Sequence, residues 1–380
     1  MPELTPGYRT VGRSGLVVSE LGIGASTFGR SGMIATSQRA VDAIVGRALD
    51  LGVTYYDIAD VYGDSPGQSE TLLGNALGPH RDEVIIGSKF GGSLRGLAGQ
   101  DWGVRGSRRY VRRAVEGSLA RLKTDWIDLY QIHKPDPWTP IEETLSVLDD
   151  LVHEGKIRYV GSSNFAAWQV VEAEFAARAG GWARFISATN EYNLLWREPE
   201  RELLPALRAY QVGFIPYFPL QNGLLTGKYR RDLAPADAKI TNLKAHLLHD
   251  APWDALERYA EFARQRGVSQ TALALGWLLA QPGVATVIAG VTRPEQLDEN
   301  LAATRWRPTA DELAELATIL PGDLSGGPGR VTGSVVPSNG SPVQATTGQS
   351  KTAQPKTGQP TTGQSKAADG TEDRVAEAAK

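Results

Sequence analysis

The stretch WIDLYQIHKPDPWTPIEETLSVLDDLVHEGKIRYVGSS, residues 126–163, decides the fold. It predicts a strand at 126–132, an amphipathic helix at 140–153 and a second strand at 158–163. The strands are apolar with little alternation, as expected when helices cover both faces of a parallel sheet. A strand, a helix and a further strand in this order are typical of a βαβ unit, so the stretch predicts an α/β fold.

The same alternation of strand and helix extends in both directions from this unit. A short β-hairpin is predicted at 8–19, and an extra C-terminal helix at 310–320 follows the last strand. Eight strands, each followed by a helix, favour a closed (β/α)8 TIM barrel over an open sheet. The other six predicted strands are 21–25, 53–57, 83–88, 185–191, 212–217 and 285–289.

The composition changes after Leu320. From there on the chain consists mainly of Gly, Ser, Thr, Pro, Gln and Lys, and TTGQSK at 346–351 recurs at 361–366. Such a segment has too little apolar surface to offset the entropy of ordering it. We therefore expect a barrel domain over 1–322 and a disordered C-terminal tail over 323–380, which solubilises the protein and takes no part in catalysis.

Charge and composition exclude several classes of protein. The chain has 380 residues, a formal net charge of −3 and no cysteine. Disulfides, thiolate metal sites and a cysteine nucleophile are excluded, and a near-neutral charge argues against a nucleic acid partner. No signal-peptide pattern is present and no apolar run approaches the roughly 20 residues that span a bilayer. These features predict a cytoplasmic protein without a membrane partner.

Polar residues stand at successive predicted strand ends. Asp57 ends the second strand, with Tyr62 five residues later, while Lys89 and His133 follow the third and fourth strands. Each residue alone has an ordinary structural explanation, such as helix capping, loop packing or solvation. Because the carboxyl ends of barrel strands meet at one mouth, where active sites of this fold lie, the four residues together favour a catalytic site.

This combination suits the reduction of a carbonyl. Hydride addition to carbon leaves negative charge on oxygen, which needs a proton and hydrogen-bond donors. Tyr62 is the expected proton donor, with a pKa lowered by the Lys89 cation, and Asp57 holds Lys89. His133 donates to the substrate oxygen. No metal is expected, because a single histidine near these acidic residues does not make a three-ligand zinc site.

From about residue 8 to 320 the chain resembles the aldo-keto reductase family. The motifs are YRTVGRSGLVVSELGIG at 8–24, VTYYDIADVYGDSPGQSETLLGNAL at 53–77 with Asp57 and Tyr62, IIGSKF with Lys89, IDLYQIHKPDP with His133, and GKIRYVGSSNF at 155–165. Their order along the chain makes the resemblance specific. It implies an NADP(H)-dependent oxidoreductase that acts on a small carbonyl substrate.

The resemblance also implies the cofactor contacts. Ser163 and Asn164 are expected to bind the nicotinamide carboxamide, Tyr217 to stack on the ring, and Arg293 near the ribose to favour NADP(H). The remaining expected contacts are Thr189, Phe218, Gly223, Lys228, Gly290, Gln296 and Asn300.

Three positions depart from the family's usual residues. Thr189 stands where the family commonly has glutamine, so one carboxamide contact is either missing or replaced by Asn190. Phe218 replaces a serine, and Ala289 replaces a proline. These departures leave the affinity and preference for the cofactor open.

Substrate contacts and partners are less defined by the sequence. Phe28, Trp102, Trp138 and Trp196 lie in loops that could form an apolar substrate wall, and packing on the barrel explains each of them equally well. The long polar loop at 230–252 suggests a lid. The alternative function is a nicotinamide-binding regulatory module resembling the potassium channel beta subunits. The physiological substrate and the oligomeric state are left open.

Overall fold

The computed structural model describes residues 7–33, 35–233 and 246–322. The predicted disordered tail at 323–380 and most of the predicted lid at 230–252 lie outside these residues. In the remaining part of that loop, His246–His249 form a short helix that the sequence did not predict.

Eight parallel strands confirm the predicted barrel. In the sheet, β10 lies beside β3 and the other strands follow in chain order to β9. The hairpin strands are β1 (Tyr8–Thr10) and β2 (Val17–Ser19). The sheet strands are β3 (Leu21–Gly24), β4 (Tyr55–Asp57), β5 (Ile85–Phe90), β6 (Ile127–Ile132), β7 (Ile157–Ser163), β8 (Ser187–Thr189), β9 (Gly213–Phe214) and β10 (Val287–Gly290).

The two outer strands of the sheet approach each other and close the barrel. Phe214 of β9 forms a parallel bridge with Val284, just before β10. The Phe214 amide donates to the Gly283 carbonyl at 2.8 Å, and the Ala285 amide donates to the Phe214 carbonyl at 2.9 Å. Strands β8 and β9 are shorter than predicted, and beyond them only a bridge between Glu191 and Tyr217 continues the pairing.

Helices follow the strands, as predicted. Serine and threonine caps begin several of them, as at α1, where the Ser37 side chain accepts from the Ala40 amide and so satisfies an otherwise unpaired N–H. The helices in the described residues are α1 (Gln38–Asp50), α2 (Gln68–Leu77), α3 (Arg108–Leu122), α4 (Ile141–His153), α5 (Ala167–Gly180), α6 (Leu203–Tyr210), α7 (His246–His249), α8 (Trp253–Gln265), α9 (Gln270–Leu279), α10 (Glu295–Ala303) and α11 (Ala310–Ile319).

The hairpin plugs the amino-terminal end of the barrel. Its buried residues Val11, Leu16 and Val18 share one apolar cluster with inward-facing strand residues such as Tyr55 and Leu129. A larger apolar core lies between the strands and the surrounding helices. With one end filled by the hairpin, the barrel leaves its carboxyl-terminal mouth for polar side chains.

A cavity of about 430 Å³ lies at the hairpin end, lined by residues such as Arg9, Leu207 and Gly213. It is at the opposite end of the barrel from the predicted catalytic residues. Within the described ranges, no helix combines the length and the apolar character needed to cross a membrane. The cytoplasmic location stays a prediction.

Candidate active site

The four predicted catalytic residues come together at the carboxyl-terminal mouth. Asp57 is the last residue of β4, and Lys89 is the penultimate residue of β5. Tyr62 lies in the loop after β4, and His133 directly follows β6. The His133 amide donates to the Phe90 carbonyl at 2.7 Å, which extends the pairing of β5 and β6 to this residue.

Asp57 and Lys89 form a buried ion pair. Lys89 Nζ lies 2.6 Å from Asp57 Oδ1 and 3.1 Å from the Ile58 carbonyl oxygen, and only 2 % of the Lys89 side chain is exposed. Burial raises the pKa of the Asp57 carboxyl, and the Lys89 ammonium offsets part of that increase. The pair is thus held by mutual charge and by a backbone acceptor that further satisfies the ammonium.

Tyr62 lies between Lys89 and His133. Lys89 Nζ is 5.5 Å from the centroid of the Tyr62 ring, and the Tyr62 and His133 rings are 5.7 Å apart in an edge-on arrangement. The net shift of the Tyr62 pKa is opposite to the expected one, although the Lys89 cation is close by. Burial raises that pKa well above its usual value, and the carboxylates of Asp57 and Asp60 add to the increase.

His133 is held neutral. Burial, together with the Lys89 and Lys134 cations, lowers the pKa of its imidazole from 6.5 to about 3. Its Nδ1 atom is buried and makes no hydrogen bond to any described residue. Because an N–H buried without an acceptor is costly, this environment favours the tautomer with the proton on Nε2.

Asp60 is a feature of the site that the sequence analysis missed. Its carboxyl is fully buried, and neither oxygen has a hydrogen-bond partner among the described residues. Burial and the neighbouring Glu70 raise its pKa well above the usual value. The motif shows an acidic residue two positions before Tyr62, but its burial could only be seen in the folded chain.

A second polar group adjoins His133. The Tyr217 hydroxyl donates to Asn164 Oδ1 at 2.8 Å, and Asn164 Nδ2 donates to the His133 carbonyl and to Ser163 Oγ, both at 3.0 Å. Asn164 adopts φ +60°, a left-handed conformation in which asparagine is common. Three of the predicted cofactor residues thus form one network that reaches the catalytic residues.

Thr189 has a different environment from the other predicted cofactor residues. It is buried at the end of β8, and its hydroxyl donates to Gln131 Oε1 at 2.7 Å. Asn190, the alternative contact, donates to the Phe165 carbonyl at 3.1 Å, while its Oδ1 is buried without a partner in the described chain. The Thr189 hydroxyl is therefore occupied by Gln131, whereas the Asn190 Oδ1 atom has no hydrogen-bond partner among the described residues.

The loop after Tyr217 carries three further predicted residues, of which Gly223 and Lys228 lie close together. Phe218 packs edge-on against Tyr217 with ring centroids 5.0 Å apart and adopts φ +54°. Gly223 has φ +106°, and a Cβ there would lie 2.6 Å from Lys228 Cε. The Lys228 side chain lies over Gly223, and its ammonium is 5.1 Å from the Tyr229 ring. The positive φ of Gly223 disfavours any other residue at this position.

The remaining predicted cofactor residues lie in the segment from the end of β10 into α10. Gly290 ends β10 and has open space where a Cβ would stand. Arg293 is half-exposed, 3.8 Å from the Glu295 carboxylate, and Gln296 Oε1 accepts from the Thr292 amide at 2.8 Å. Asn300 is buried on α10.

These residues fit an elongated anionic cofactor. The open space at Gly290 and the half-exposed Arg293 cation suit a phosphate-bearing end. The Ser163–Asn164–Tyr217 network suits an amide-bearing ring beside the catalytic residues. Asn190 Oδ1 adds a buried acceptor without a partner in the described chain.

The four aromatic residues predicted for substrate are not equivalent. Phe28 has no exposed surface and packs in the outer core, which favours the packing explanation for it. Trp102 and Trp138 are exposed, with the Arg109 guanidinium 5.3 Å from the Trp102 ring. Trp196 is half-buried, and its indole N–H is buried without a partner among the described residues.

A metal site is not evident in the residues that the structure describes. They contain no group of three or more His, Cys, Asp or Glu side chains arranged to hold an ion.

Several known proteins are similar to this chain over most of its length. The L-glyceraldehyde 3-phosphate reductase of Escherichia coli (strain K12) is 36 % identical over 308 residues, 78 % of this chain and 87 % of that protein. The uncharacterized oxidoreductase YrpG of Bacillus subtilis is 33 % identical over 83 % of this chain and 96 % of its own length. A probable voltage-gated potassium channel subunit beta of Oryza sativa is 34 % identical over 78 % and 90 %.

The model of the aldo/keto reductase family matches residues 20–321, nearly the whole barrel. That family supports an oxidoreductase activity with a nicotinamide cofactor and a small-molecule carbonyl substrate. The chain belongs to the aldo/keto reductase family.

Proposed function

We propose that the protein is an NADP(H)-dependent carbonyl reductase that converts aldehydes or ketones to alcohols, with Tyr62 as the proton donor. The observation that carries this proposal is the cluster of Tyr62, the Asp57–Lys89 ion pair and the neutral His133 at one barrel mouth. The Ser163–Asn164–Tyr217 network beside them supports a nicotinamide site.

The four residues have distinct roles in this proposal. His133, as a neutral imidazole, donates an N–H hydrogen bond to the carbonyl oxygen and orients it toward Tyr62. Tyr62 transfers its phenolic proton to that oxygen as negative charge develops on it. Lys89 stabilises the phenolate that remains, and Asp57 keeps the ammonium in place. When bound, a reduced nicotinamide supplies the hydride for the carbonyl carbon.

The raised pKa of Tyr62 agrees with its role as an acid. A phenol with a raised pKa stays protonated at neutral pH, which is the state that a proton donor needs. The alkoxide that forms on hydride addition is far more basic than a phenolate, so the transfer is still favourable. The nearby Lys89 charge lowers the free energy of the phenolate once the proton has left.

The preference for NADP(H) over NAD(H) is supported by one residue, Arg293. Arg293 is half-exposed beside the start of α10, and the Glu295 carboxylate at 3.8 Å is too distant for a hydrogen bond. A 2′-phosphate can therefore compete for the guanidinium, with the positive end of the helix adding to the attraction.

The proposal is tested by following NADPH absorbance while the purified protein is supplied with a panel of small aldehydes and ketones. We expect NADPH consumption that matches alcohol formation, with a lower rate for NADH. Glyceraldehyde 3-phosphate belongs in the panel because one relative is named for reducing its L form. A protein that binds NADPH but reduces no member of the panel would contradict the proposal.

The second candidate is a cofactor-binding regulatory subunit. It is favoured by the 34 % identity to proteins named as potassium channel beta subunits from Oryza sativa and Arabidopsis thaliana. The same assay separates the two functions, because a purely regulatory subunit binds the cofactor without sustained turnover.

A further inference from the structure

A buried asparagine joins the segments that follow β8 and β9. The Tyr217 amide donates to the Asn190 carbonyl at 3.1 Å, and the Tyr192 amide donates to the Tyr217 carbonyl at 3.4 Å. One residue further along each segment, the connection is made by a side chain, because Asn193 Nδ2 donates to the Phe218 carbonyl at 3.0 Å. Asn193 has no exposed surface. Its side chain therefore extends the link between the two segments beyond these backbone hydrogen bonds.

The carboxamide oxygen of the same side chain closes a turn. Asn193 Oδ1 accepts from the Leu195 amide at 2.9 Å and from the Trp196 amide at 3.0 Å. Reversing the carboxamide would set its NH2 group against two N–H donors and its oxygen against a carbonyl, so the neighbours determine its orientation. Asn193 thus connects a closed turn to the loop that follows β9.

Phe218 adopts a backbone conformation that needs support. Its φ of +54° lies in the left-handed region, where a bulky residue is a genuine outlier. In this conformation its ring packs edge-on against the Tyr217 ring, with centroids 5.0 Å apart. Tyr217 in turn donates to Asn164, which is bonded to the His133 carbonyl. A residue in so sparsely populated a region persists only where its surroundings hold it, and the Asn193 bond to its carbonyl contributes to this.

We propose that Asn193 is a positioning residue for the nicotinamide site, which holds Phe218 in its left-handed conformation and thereby keeps Tyr217 in place for the cofactor ring. The inference rests on the proposed function, because it takes Tyr217 as the residue on which the nicotinamide stacks. A loop held in this way raises the affinity for the cofactor, because the free protein already populates the conformation that binds.

Asn193→Asp isolates the bond to Phe218. The aspartate keeps an acceptor for the turn amides, but once ionised it sets a carboxylate oxygen against the Phe218 carbonyl. When protonated, its O–H can donate to that carbonyl and restore the bond. Because burial raises the pKa of a carboxyl, the two forms are compared between about pH 5 and pH 8.

Fluorescence titrations with NADPH measure the effect without turnover. The Kd of the variant is divided by the wild-type Kd at each pH, so that the titration of the cofactor itself cancels. We expect a ratio of about 10 at pH 8, which corresponds to a binding conformation reduced to about a tenth of the population. The ratio falls toward about 1 as the pH is lowered. A purely structural role of Asn193 would lower the stability of the variant without producing this pH-dependent recovery of affinity.

A second variant carries the test if Asn193→Asp does not fold at neutral pH. In Asn193→Ser the hydroxyl can still accept from the turn amides, but it is too short to reach the Phe218 carbonyl. We expect weaker NADPH binding by a similar factor, with a ratio to the wild type that does not change with pH, because no charge is introduced.

Gln281→Glu is the matched control. Gln281 Nε2 donates to the Trp277 carbonyl at 3.0 Å, so the substitution again replaces an amide donor by a carboxylate that faces a carbonyl. Gln281 directly precedes Pro282, which lines the cavity at the hairpin end, away from the mouth. The NADPH affinity of this variant stays at the wild-type value throughout the pH range.

The outcomes separate this inference from the reductase activity. A ratio for Asn193→Asp that does not change with pH, or wild-type affinity in Asn193→Ser, would overturn the positioning role. If the wild type binds NADPH and reduces no carbonyl, the proposed reductase function fails, while the ratios still decide the role of Asn193. If the wild type binds no nicotinamide cofactor, both proposals fail.

Discussion

His133 illustrates at the scale of a single residue how burial determines chemistry. With a pKa lowered to about 3, its imidazole is neutral, so in the proposed reaction it would donate a hydrogen bond and not act as a cationic acid. The proposed reaction therefore takes its proton from Tyr62, whose raised pKa keeps the phenol protonated at neutral pH. The two rings are half-buried at the barrel mouth, with centroids 5.7 Å apart.

The first prediction concerns the protonation state of His133. Its imidazole stays neutral between pH 8 and pH 5, because the buried cation would lie near Lys89 without a partner to offset its desolvation. Imidazole NMR shifts followed with pH check this, with the signal assigned by the His133→Asn variant. Free histidine added to the sample titrates near its ordinary pKa of about 6.5 and serves as the internal control. A His133 midpoint above pH 5 would contradict the prediction.

Part of the site could be predicted at this scale, and part could not. Asp57, Tyr62, Lys89 and His133 were predicted because residue type and position at a strand end are both visible in the sequence. The burial of Asp60 and the direction of the Tyr62 pKa shift depend on neighbours from other parts of the barrel. Cross-strand distance and desolvation do not follow from spacing along one strand, so these features were missed.

At the scale of secondary structure, close packing of helices explains one glycine of α2. A Cβ at Gly74 would lie 2.6 to 2.7 Å from the backbone of Arg121 and Leu122 at the end of α3. Gly46 on α1 is exposed, and a Cβ there would meet nothing within 4 Å. The two glycines therefore occupy opposite environments in neighbouring helices.

This contrast gives a matched pair of stability predictions. Gly74→Ala lowers the free energy of unfolding by about 1–3 kcal/mol, because a backbone contact cannot move aside cheaply. Gly46→Ala raises it by about 0.5–1 kcal/mol, because alanine has the higher helix propensity and the site is open. Urea denaturation of both variants measures the difference. Equal changes in the two variants would show that α2 and α3 are not packed as described.

Most helices and strands could be predicted because their patterns are local. The helix predicted at 140–153 is α4 at Ile141–His153, and the strand predicted at 126–132 is β6 at Ile127–Ile132. The strands predicted at 185–191 and 212–217 are shorter in the structure. Buried Phe185 and Ile186 precede β8, and buried Ile215 follows β9, so apolar composition alone does not mark where these strands begin and end.

At the scale of the whole molecule, an ionic cluster ties the hairpin to the helical layer. Glu174 on α5 is buried and forms ion pairs with Arg13 of the hairpin turn, with Arg178 on the same helix and with Arg184. Burial raises the pKa of its carboxyl, and Arg184 and Arg13 more than offset this, so that the pKa falls to about 2. Arg13 and Glu174 are 161 residues apart in the sequence, so the cluster ties the start of the chain to a helix in its middle.

The stability of the protein should accordingly fall in acid. A carboxyl whose folded pKa is depressed stabilises the fold above its unfolded pKa of about 4.5, and this contribution is lost as the pH falls toward 2. The contribution at neutral pH is on the order of 2–3 kcal/mol. Unfolding free energies measured across this range should show a shallower acid dependence in Glu174→Gln. The exposed Glu172 on the same helix is the control, and Glu172→Gln keeps the wild-type dependence. An unchanged slope in Glu174→Gln would contradict the role of the cluster.

The most direct test of the central claim is the rate of NADPH-dependent carbonyl reduction by Tyr62→Phe. The substitution removes only the hydroxyl, so the ring can keep its edge-on contact with His133. We predict a loss of about 10²- to 10⁴-fold in kcat, as expected for a general acid, with cofactor affinity unchanged in a fluorescence titration. A Tyr62→Phe enzyme that reduces the same substrate within twofold of the wild-type rate would show that Tyr62 is not the proton donor.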